Sequence, residues 1–584
     1  MMNLTPRLVH ETVARLTGTG GAFEVSDRQF GATTYRVFTH ATSTLQDIFA
    51  AGRAHGETDF VVFDNERWSF NRFFRDVDAL AAAMQHHYGI GTGARVAIAM
   101  RNCPDWLIVF GAAAQLGAII VPINSWGSAE ELEFTLNDAS AALLAADLPR
   151  IRLASEWLAH SGVPVLLSDV DGPLTDVAVD VTANVKLESI RDVIEANRDS
   201  AYRRANPATE DTAMLLYTSG SCGQPKGVIY RHIAVGQALM HMLFVGFLAI
   251  ELGGAVELKN GASAEAQLVT VPLFHATGLF SGFLLPCLIG QKVALLRKWD
   301  AATAMGIIAA EKITMISTVP AIMKDLLTQP DFDDHDLGSL SRVAVAGAAT
   351  PADLPDLMHH KIGLIARSAG YGMTETASIG ATMSGPVFDL KPLACGIASP
   401  IIEMRFLNAS GTEVEPPSTG EVQLRGVTVT PGYWHRDDLT AGAFTADGWI
   451  RTGDLGHLDD DGFLHITGRI KEIVIRGGEN ISPIEVENVA YRHPCVKEVA
   501  VFGVPDDLMG EELVMVCYPR SHAALTDFQL RGHLQKSLPS FKVPKYIVIA
   551  DAPLPRNASE KIHRLALSRG FTIDIVGEAL PHQD

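Results

Sequence analysis

Runs of β-branched and small apolar residues at 95–100, 117–122, 267–272, 292–296 and 342–346 alternate with longer stretches of helical character. That alternation predicts α/β architecture, with sheets flanked by helices. Residues 106–123 carry only Gln115 among apolar and small side chains, which reaches the lower length for crossing a bilayer. Gly117, then Ile119-Ile120-Val121 and Pro122, predict instead a buried helix giving way to a buried strand. Residues 234–250 are also apolar but contain His241 and two glycines, and read as a helix packed on a sheet. After Lys391 the texture changes to short strands and Gly/Pro turns, with Asp461-Gly462 as the turn of a hairpin. A compact α+β pattern follows Arg469, with strands at 499–504 and 513–518.

Composition narrows the chemistry. The 584 residues are 47% hydrophobic, enough for sizeable cores, and 47 basic against 67 acidic side chains give a net charge of −20. A nucleic-acid partner is disfavoured by that sign, and an anionic ligand must be held by local basic groups. Six cysteines, at 103, 222, 287, 395, 495 and 517, show no Cys-x-x-Cys pair, which implies a reducing compartment and no structural zinc. The first twenty residues mix Arg, His and Glu into their apolar positions and lack the core of a signal peptide, and the chain ends Pro-His-Gln-Asp rather than in a peroxisomal tripeptide. Cytoplasmic location is the expectation, without a transmembrane span and with peripheral membrane contact left open.

One segment stands out chemically: Tyr217-Thr218-Ser219-Gly220-Ser221-Cys222-Gly223-Gln224-Pro225-Lys226-Gly227. Glycines let the main chain turn with its N–H groups inward, while hydroxyls and an ammonium complete an anion site. The Gly-Lys-Ser/Thr of the common phosphate loop is absent. A solvated Gly/Ser turn is the competing reading.

Four later segments settle the choice: Tyr371-Gly372-Met373-Thr374-Glu375-Thr376; Gly448-Trp449-Ile450-Arg451-Thr452-Gly453-Asp454; Gly468-Arg469-Ile470-Lys471-Glu472 running into Gly477-Gly478-Glu479-Asn480; and Pro555-Arg556-Asn557-Ala558-Ser559-Glu560-Lys561. In order and spacing, the five resemble the acyl-activating, AMP-forming adenylate synthetases, in the branch of acyl-CoA synthetases or acid:CoA ligases, from about residue 95 to 564. The resemblance implies a large N-terminal domain of α/β sheets flanked by helices plus a small β-barrel-like part, residues 1–468, a hinge at 469–472, and a small mobile α+β C-terminal lid, residues 473–584.

It also implies a reaction: a carboxylic acid, ATP and CoA yield acyl-CoA, AMP and diphosphate through an acyl-adenylate, with Mg²⁺ as the metal. Two anions must meet, and like unit charges 4 Å apart repel by about 1 kcal/mol in water and about 4 kcal/mol at a typical protein dielectric. By resemblance, Thr218, Ser219, Gly220, Ser221, Gly223 and Lys226 wrap the β- and γ-phosphates, with Thr218 beside the metal. Thr374 bonds the α-phosphate, and Glu375 holds Mg²⁺. Asp454 accepts the ribose hydroxyls, Arg469 reaches ribose or phosphate, and Tyr371 with Gly372 borders adenine opposite Gly347 and Ala348. Lys561 reaches from the lid to carboxylate and α-phosphate; the lid then turns about Lys471, and Gly477 and Gly478 line the path of the pantetheine thiol. Cys222 stands where the family more often has Thr, and Glu560 where it has Gly.

Substrate identity is thinner. His275, Ala346 and Gly370 match positions bordering the acyl pocket, and relatives that activate amino acids have Asp in place of His275. A fatty, aryl or alicyclic acid, even a steroid-type one, is the expectation, which points to lipid and fatty acid metabolism. The alternatives are an acyl-AMP ligase serving a free-standing carrier protein, since only 23 residues follow Lys561, and a non-catalytic nucleotide or acyl binder. A homo-oligomer is the expected assembly.

Overall fold

The computed structural model describes residues 4–168, 185–218, 224–253, 264–345, 354–362, 366–520, 525–556 and 562–571. Two sheets share one core. The first runs, in spatial order, Lys226–Arg231, Thr212–Thr218, Ile119–Pro122, Arg95–Ala99, Leu143–Ala146, Val165–Leu167, Leu187–Ser189, all parallel except the first strand. The second is parallel through Ala366–Tyr371, Arg342–Val345, Met315–Thr318, Ala266–Val269, Lys292–Leu295 and Asp59–Phe63. Beyond Ala366–Tyr371 it continues antiparallel through Ala381–Ser384, Gly396–Ala398, Phe463–Arg469, Ile450–Leu458, Gly420–Gly426 and Ile402–Leu407. Helices Leu45–Arg53, Phe70–His87 and Pro104–Gln115 fill the space between, around Phe49, Phe60, Phe73, Trp106, Phe110 and Phe283.

The apolar stretch at 106–123 divides as its sequence predicts. Every residue of Pro104–Gln115 is buried, and the strand Ile119–Pro122 follows. Gly117 makes the corner at φ +65°, where a Cβ would come within 2.9 Å of Ala205, so both conformation and space require glycine. The second apolar stretch is the helix His232–Glu251, long and apolar enough to cross a membrane, yet 61% of its apolar window is buried. It packs on Ala381–Ser384 and on an N-terminal unit, the helix Pro6–Thr17 with the hairpin Val25–Phe30/Thr33–Phe38. Gly236 lets this helix approach Thr42 so closely that a Cβ would lie 1.8 Å from the carbonyl oxygen.

The last strand of the second sheet ends at Arg469, and a smaller sheet begins at Val474. It comprises Val474–Arg476, Glu479–Ile481, Val496–Asp506, Gly510–Pro519 and Tyr546–Ile549, backed by helices Pro483–Tyr491 and Asp527–Gln535 around a core of its own. The Asp461-Gly462 hairpin forms as expected between Ile450–Leu458 and Phe463–Arg469. Lys391 Nζ binds Asp459 at 2.9 Å and Asp461 at 2.7 Å across it.

Candidate functional site

The anion-loop candidate joins two antiparallel strands. Thr218 pairs with Lys226 on the last rung between Thr212–Thr218 and Lys226–Arg231, so Lys226 opens the edge strand beside the C-terminal end of its neighbour. Ser219, Gly220, Ser221, Cys222 and Gly223 lie outside the described residues. The base of the hairpin is tightly made: the Tyr217 hydroxyl donates to Asp138 at 2.6 Å, and a Cβ on Gly227 would sit 2.9 Å from the Tyr217 ring. The segment 430–434 is clipped to the second strand, because Trp434 N donates to Gly227 O at 2.7 Å and Ile229 N to Gly432 O at 3.2 Å.

In the second sheet, Ala366–Tyr371 is followed by a single tight turn, Thr374–Thr376. Gly372 is essential to it, since a Cβ there would lie 2.3 Å from the carbonyl carbon of Ser378. Two tethers hold the turn to the hairpin: the Tyr230 hydroxyl donates to Thr374 O, and Thr430 N donates to Glu375 O at 2.7 Å. Glu375 is only 8% exposed. Its Oε1 accepts from the Tyr433 hydroxyl at 2.8 Å, and Lys226 Nζ stands 5.1 Å from the centroid of the same Tyr433 ring. Burial pushes the Glu375 carboxyl above its ordinary range, opposed by the Tyr433 hydroxyl and by the charges of Lys226 and Arg469. Among the described residues no ion pair joins Lys226 to Glu375.

A second carboxylate lies beside the first. Asp454, 5% exposed, takes the Tyr371 hydroxyl on Oδ2 at 2.7 Å and Arg469 Nε on Oδ1 at 2.9 Å. Its own N–H donates to Thr452 Oγ1 at 3.0 Å, after Gly453 at φ +71°. Burial raises its pKa too, countered first by the Arg469 charge and then by the Tyr371 hydroxyl. The Arg469 charge acts on both carboxyls, so the two centres adjoin one another.

Lys471 lies in the one-turn helix Ile470–Glu472 between the second sheet and the smaller one. Gly477 at φ +59° and Gly478 at φ +87° form a two-residue turn between Val474–Arg476 and Glu479–Ile481, the pair of left-handed positions that a type I′ turn needs. Lys561 and Glu560 lie outside the described residues, but the chain on either side is anchored. Arg556 bridges Ile562 and binds Glu498 at 2.9 Å, while Arg564 grips buried Glu487 at 2.7 Å and reaches Glu472 at 3.4 Å.

On the acyl side, His275 precedes the turn Ala276–Leu279 with its ring 4.3 Å from that of Phe274. Gly370 pairs with Thr382 across the sheet. Behind them His241 is buried between Ser399 Oγ at 3.0 Å and Thr382 Oγ1 at 3.1 Å, and burial lowers its pKa to about 4, so it is neutral. Ala346, Gly347 and Ala348 lie outside the described residues. Sequence reasoning missed Tyr433, Tyr230 and His241; the one signal available for Tyr433 was an aromatic pair, Tyr433-Trp434, directly after Pro431-Gly432.

The wall therefore presents a lysine at a Gly/Ser hairpin, a buried acid without a cation at ion-pairing distance among the described residues, and a second acid whose partner Arg469 is 59% exposed. A buried carboxylate that cannot ionise comfortably alone fits a divalent cation, and its hard oxygens suit Mg²⁺. In comparison with known proteins, residues 48–434 match the AMP-binding enzyme family and residues 485–561 the AMP-binding enzyme C-terminal domain. The chain is 30% identical to an indoleacetate–CoA ligase of Aromatoleum aromaticum, over 88% of this chain and 95% of that one. It is 32% identical to a feruloyl-CoA synthase of an Amycolatopsis species, over 83% and 90% respectively. The crystal structure of the anthranilate CoA ligase AuaEII in complex with anthranoyl-AMP superposes with a TM-score of 0.78 at 23% identity, covering 91% of this chain and 98% of that one, and shows the shared fold. The chain belongs to the AMP-binding enzyme family, in the acyl-CoA synthetase branch of the adenylate-forming synthetases.

Proposed function

We propose that this enzyme joins a hydrophobic carboxylic acid to CoA, consuming ATP and releasing AMP and diphosphate through an acyl-adenylate. The observation that carries the reading is the single wall on which Lys226, Glu375, Asp454 and Arg469 meet, with Tyr433 and Tyr371 between them. In this reading Thr218, Lys226 and the loop residues 219–223 bind the β- and γ-phosphates, Thr374 the α-phosphate, and Asp454 the ribose. Glu375 would hold Mg²⁺, which supplies charge neutralisation for the leaving diphosphate. Residues 469–472 form the hinge between units 1–468 and 473–584, with Lys471 as pivot. Lys561 approaches the acid carboxylate and α-phosphate for the first step, where positive charge is worth most as the negative charges converge. Gly477 and Gly478 border the thiol path for the second.

The substrate class is proposed as an aryl or alicyclic acid, with fatty and steroid-type acids within the same class of apolar carboxylates. Two observations support it: the position of His275 lacks the carboxylate that would hold an ammonium group, and two of the relatives are named for aromatic acids. Cytoplasmic location and a homo-oligomer belong to the same proposal. The experiment is an acid panel with ATP and Mg²⁺, with and without CoA, following AMP, diphosphate and thioester. Acid-dependent AMP formation with a CoA thioester supports the reading. AMP formation and an acyl-adenylate with no thioester transfers it to a ligase serving a carrier protein.

A further inference from the structure

We infer that Tyr433 is a positioning residue that keeps the phosphate-binding lysine and the metal-binding glutamate from neutralising one another, and so holds both ready for the nucleotide. The inference rests on the roles proposed for Lys226 and Glu375.

Opposite charges on one desolvated wall attract strongly, and with no nucleotide between them a flexible lysine closes onto the nearest carboxylate. Here both charges are engaged by one aromatic side chain. Lys226 Nζ sits 5.1 Å from the Tyr433 ring centroid, within cation–π range, and the hydroxyl of the same ring donates to Glu375 Oε1 at 2.8 Å. One side chain thus gives each charge a neutral partner. Tyr433 is itself fixed: it is 8% exposed, its N–H donates to Thr440 Oγ1 at 3.0 Å, and its backbone bridges Val228. That bridge ties it to the strand that begins at Lys226. Tyr230, two residues beyond Val228, holds the Thr374 carbonyl, so lysine strand and acid turn are registered on both sides of the ring.

The two functions of the ring separate by substitution. Tyr433→Phe keeps the face under Lys226 and removes the hydroxyl from Glu375; Tyr433→Leu removes both. Metal-free ATP binding, followed by calorimetry, reads the lysine, and Mn²⁺ binding in the presence of ATP, followed by electron paramagnetic resonance, reads the acid. Expected for Tyr433→Phe is unchanged metal-free ATP affinity with Mn²⁺ affinity lowered by about tenfold, the low end for loss of one hydrogen bond to a charged group. For Tyr433→Leu both fall, ATP affinity by about tenfold, and a crystal structure of the nucleotide-free variant shows Lys226 paired directly with Glu375. Equal losses in the two variants, or losses that track only the fall in Tm, overturn the inference. Lys226→Ala and Glu375→Gln are measured alongside. If they leave both affinities intact, the nucleotide reading of the wall fails; if they lower them while the Tyr433 variants do not, only the inference about Tyr433 fails.

Discussion

The two buried carboxylates of the site solve the same electrostatic problem in opposite ways. Asp454 is in contact with its cation, Arg469, and with the Tyr371 hydroxyl. Glu375 receives a tyrosine hydroxyl, while Lys226 rests over the face of that tyrosine's ring. Burial raises both acids, so neither arrangement is favourable for the empty protein. In the proposed reading, the difference lies in what each acid is kept for. A ribose hydroxyl is neutral and can be accepted by a carboxylate that also keeps its arginine. A divalent cation needs the full charge of its ligand, and a lysine paired with that ligand competes directly with the metal.

The largest effect is expected from a charge that belongs to neither corner. Lys561→Ala removes the cation proposed to come from the lid, and should abolish adenylation while sparing thioester formation from synthetic acyl-AMP. Equal loss in both half-reactions would show that the wall does not need a third positive group for the first step. Next is Glu375→Gln, for which kcat should fall by about 10²- to 10³-fold, as for loss of a preorganised charge contact, while the nucleotide-free protein becomes more stable at pH 7.5. The sign follows from linkage: a carboxyl whose folded pKa is raised binds its proton more tightly in the folded state. Its stabilisation is therefore present below the unfolded pKa and is lost as pH rises through the folded one. The Tm gain of the Gln variant should vanish near pH 4, and a gain independent of pH would contradict the burial argument.

Asp454→Asn should raise the KM for ATP by about 10- to 100-fold, the range for losing charge-assisted hydrogen bonds to hydroxyls, with little change in the Mg²⁺ requirement. A shift in metal dependence as large as that of Glu375→Gln would erase the distinction between the corners. The smallest effect is expected from Tyr371→Phe, which removes one hydrogen bond to Asp454 and keeps the ring: a stability loss of about 1 kcal/mol by denaturant titration, with KM for ATP within about fivefold, the scale of that one bond.

Much of this molecule was legible from local pattern. The buried helix and strand at 104–122, the helix after the Gly/Ser loop and the hairpin at Asp461-Gly462 all follow from period, β-branching and turn chemistry acting within a few residues. The contact between Asp454 and Arg469 was not, for a specific reason. Counting back from the hairpin turn, Leu458 faces Leu464 and Gly456 faces Ile466, which would put Gly468 opposite Asp454. A bulge between Gly456 and Leu455 shifts the register by one, and Arg469 takes that place instead. Tyr433 was hidden differently: it lies 58 positions from the glutamate it bonds, and that separation is closed only when segment 430–434 lies along the lysine strand. The strand Lys226–Arg231 is masked in the sequence because its first two residues, a lysine and a glycine, also fit the pattern of the loop before it.

The most direct test is a crystal structure with a non-hydrolysable ATP analogue and Mn²⁺, located by anomalous scattering. The account predicts the metal peak about 2.1 Å from a Glu375 carboxylate oxygen, the usual distance for a small divalent cation, with Lys226 on the phosphates, Asp454 on the ribose and the Tyr433 side chain still touching both acid and lysine. A triphosphate bound away from the 218–226 hairpin, or a metal held without Glu375, would contradict it.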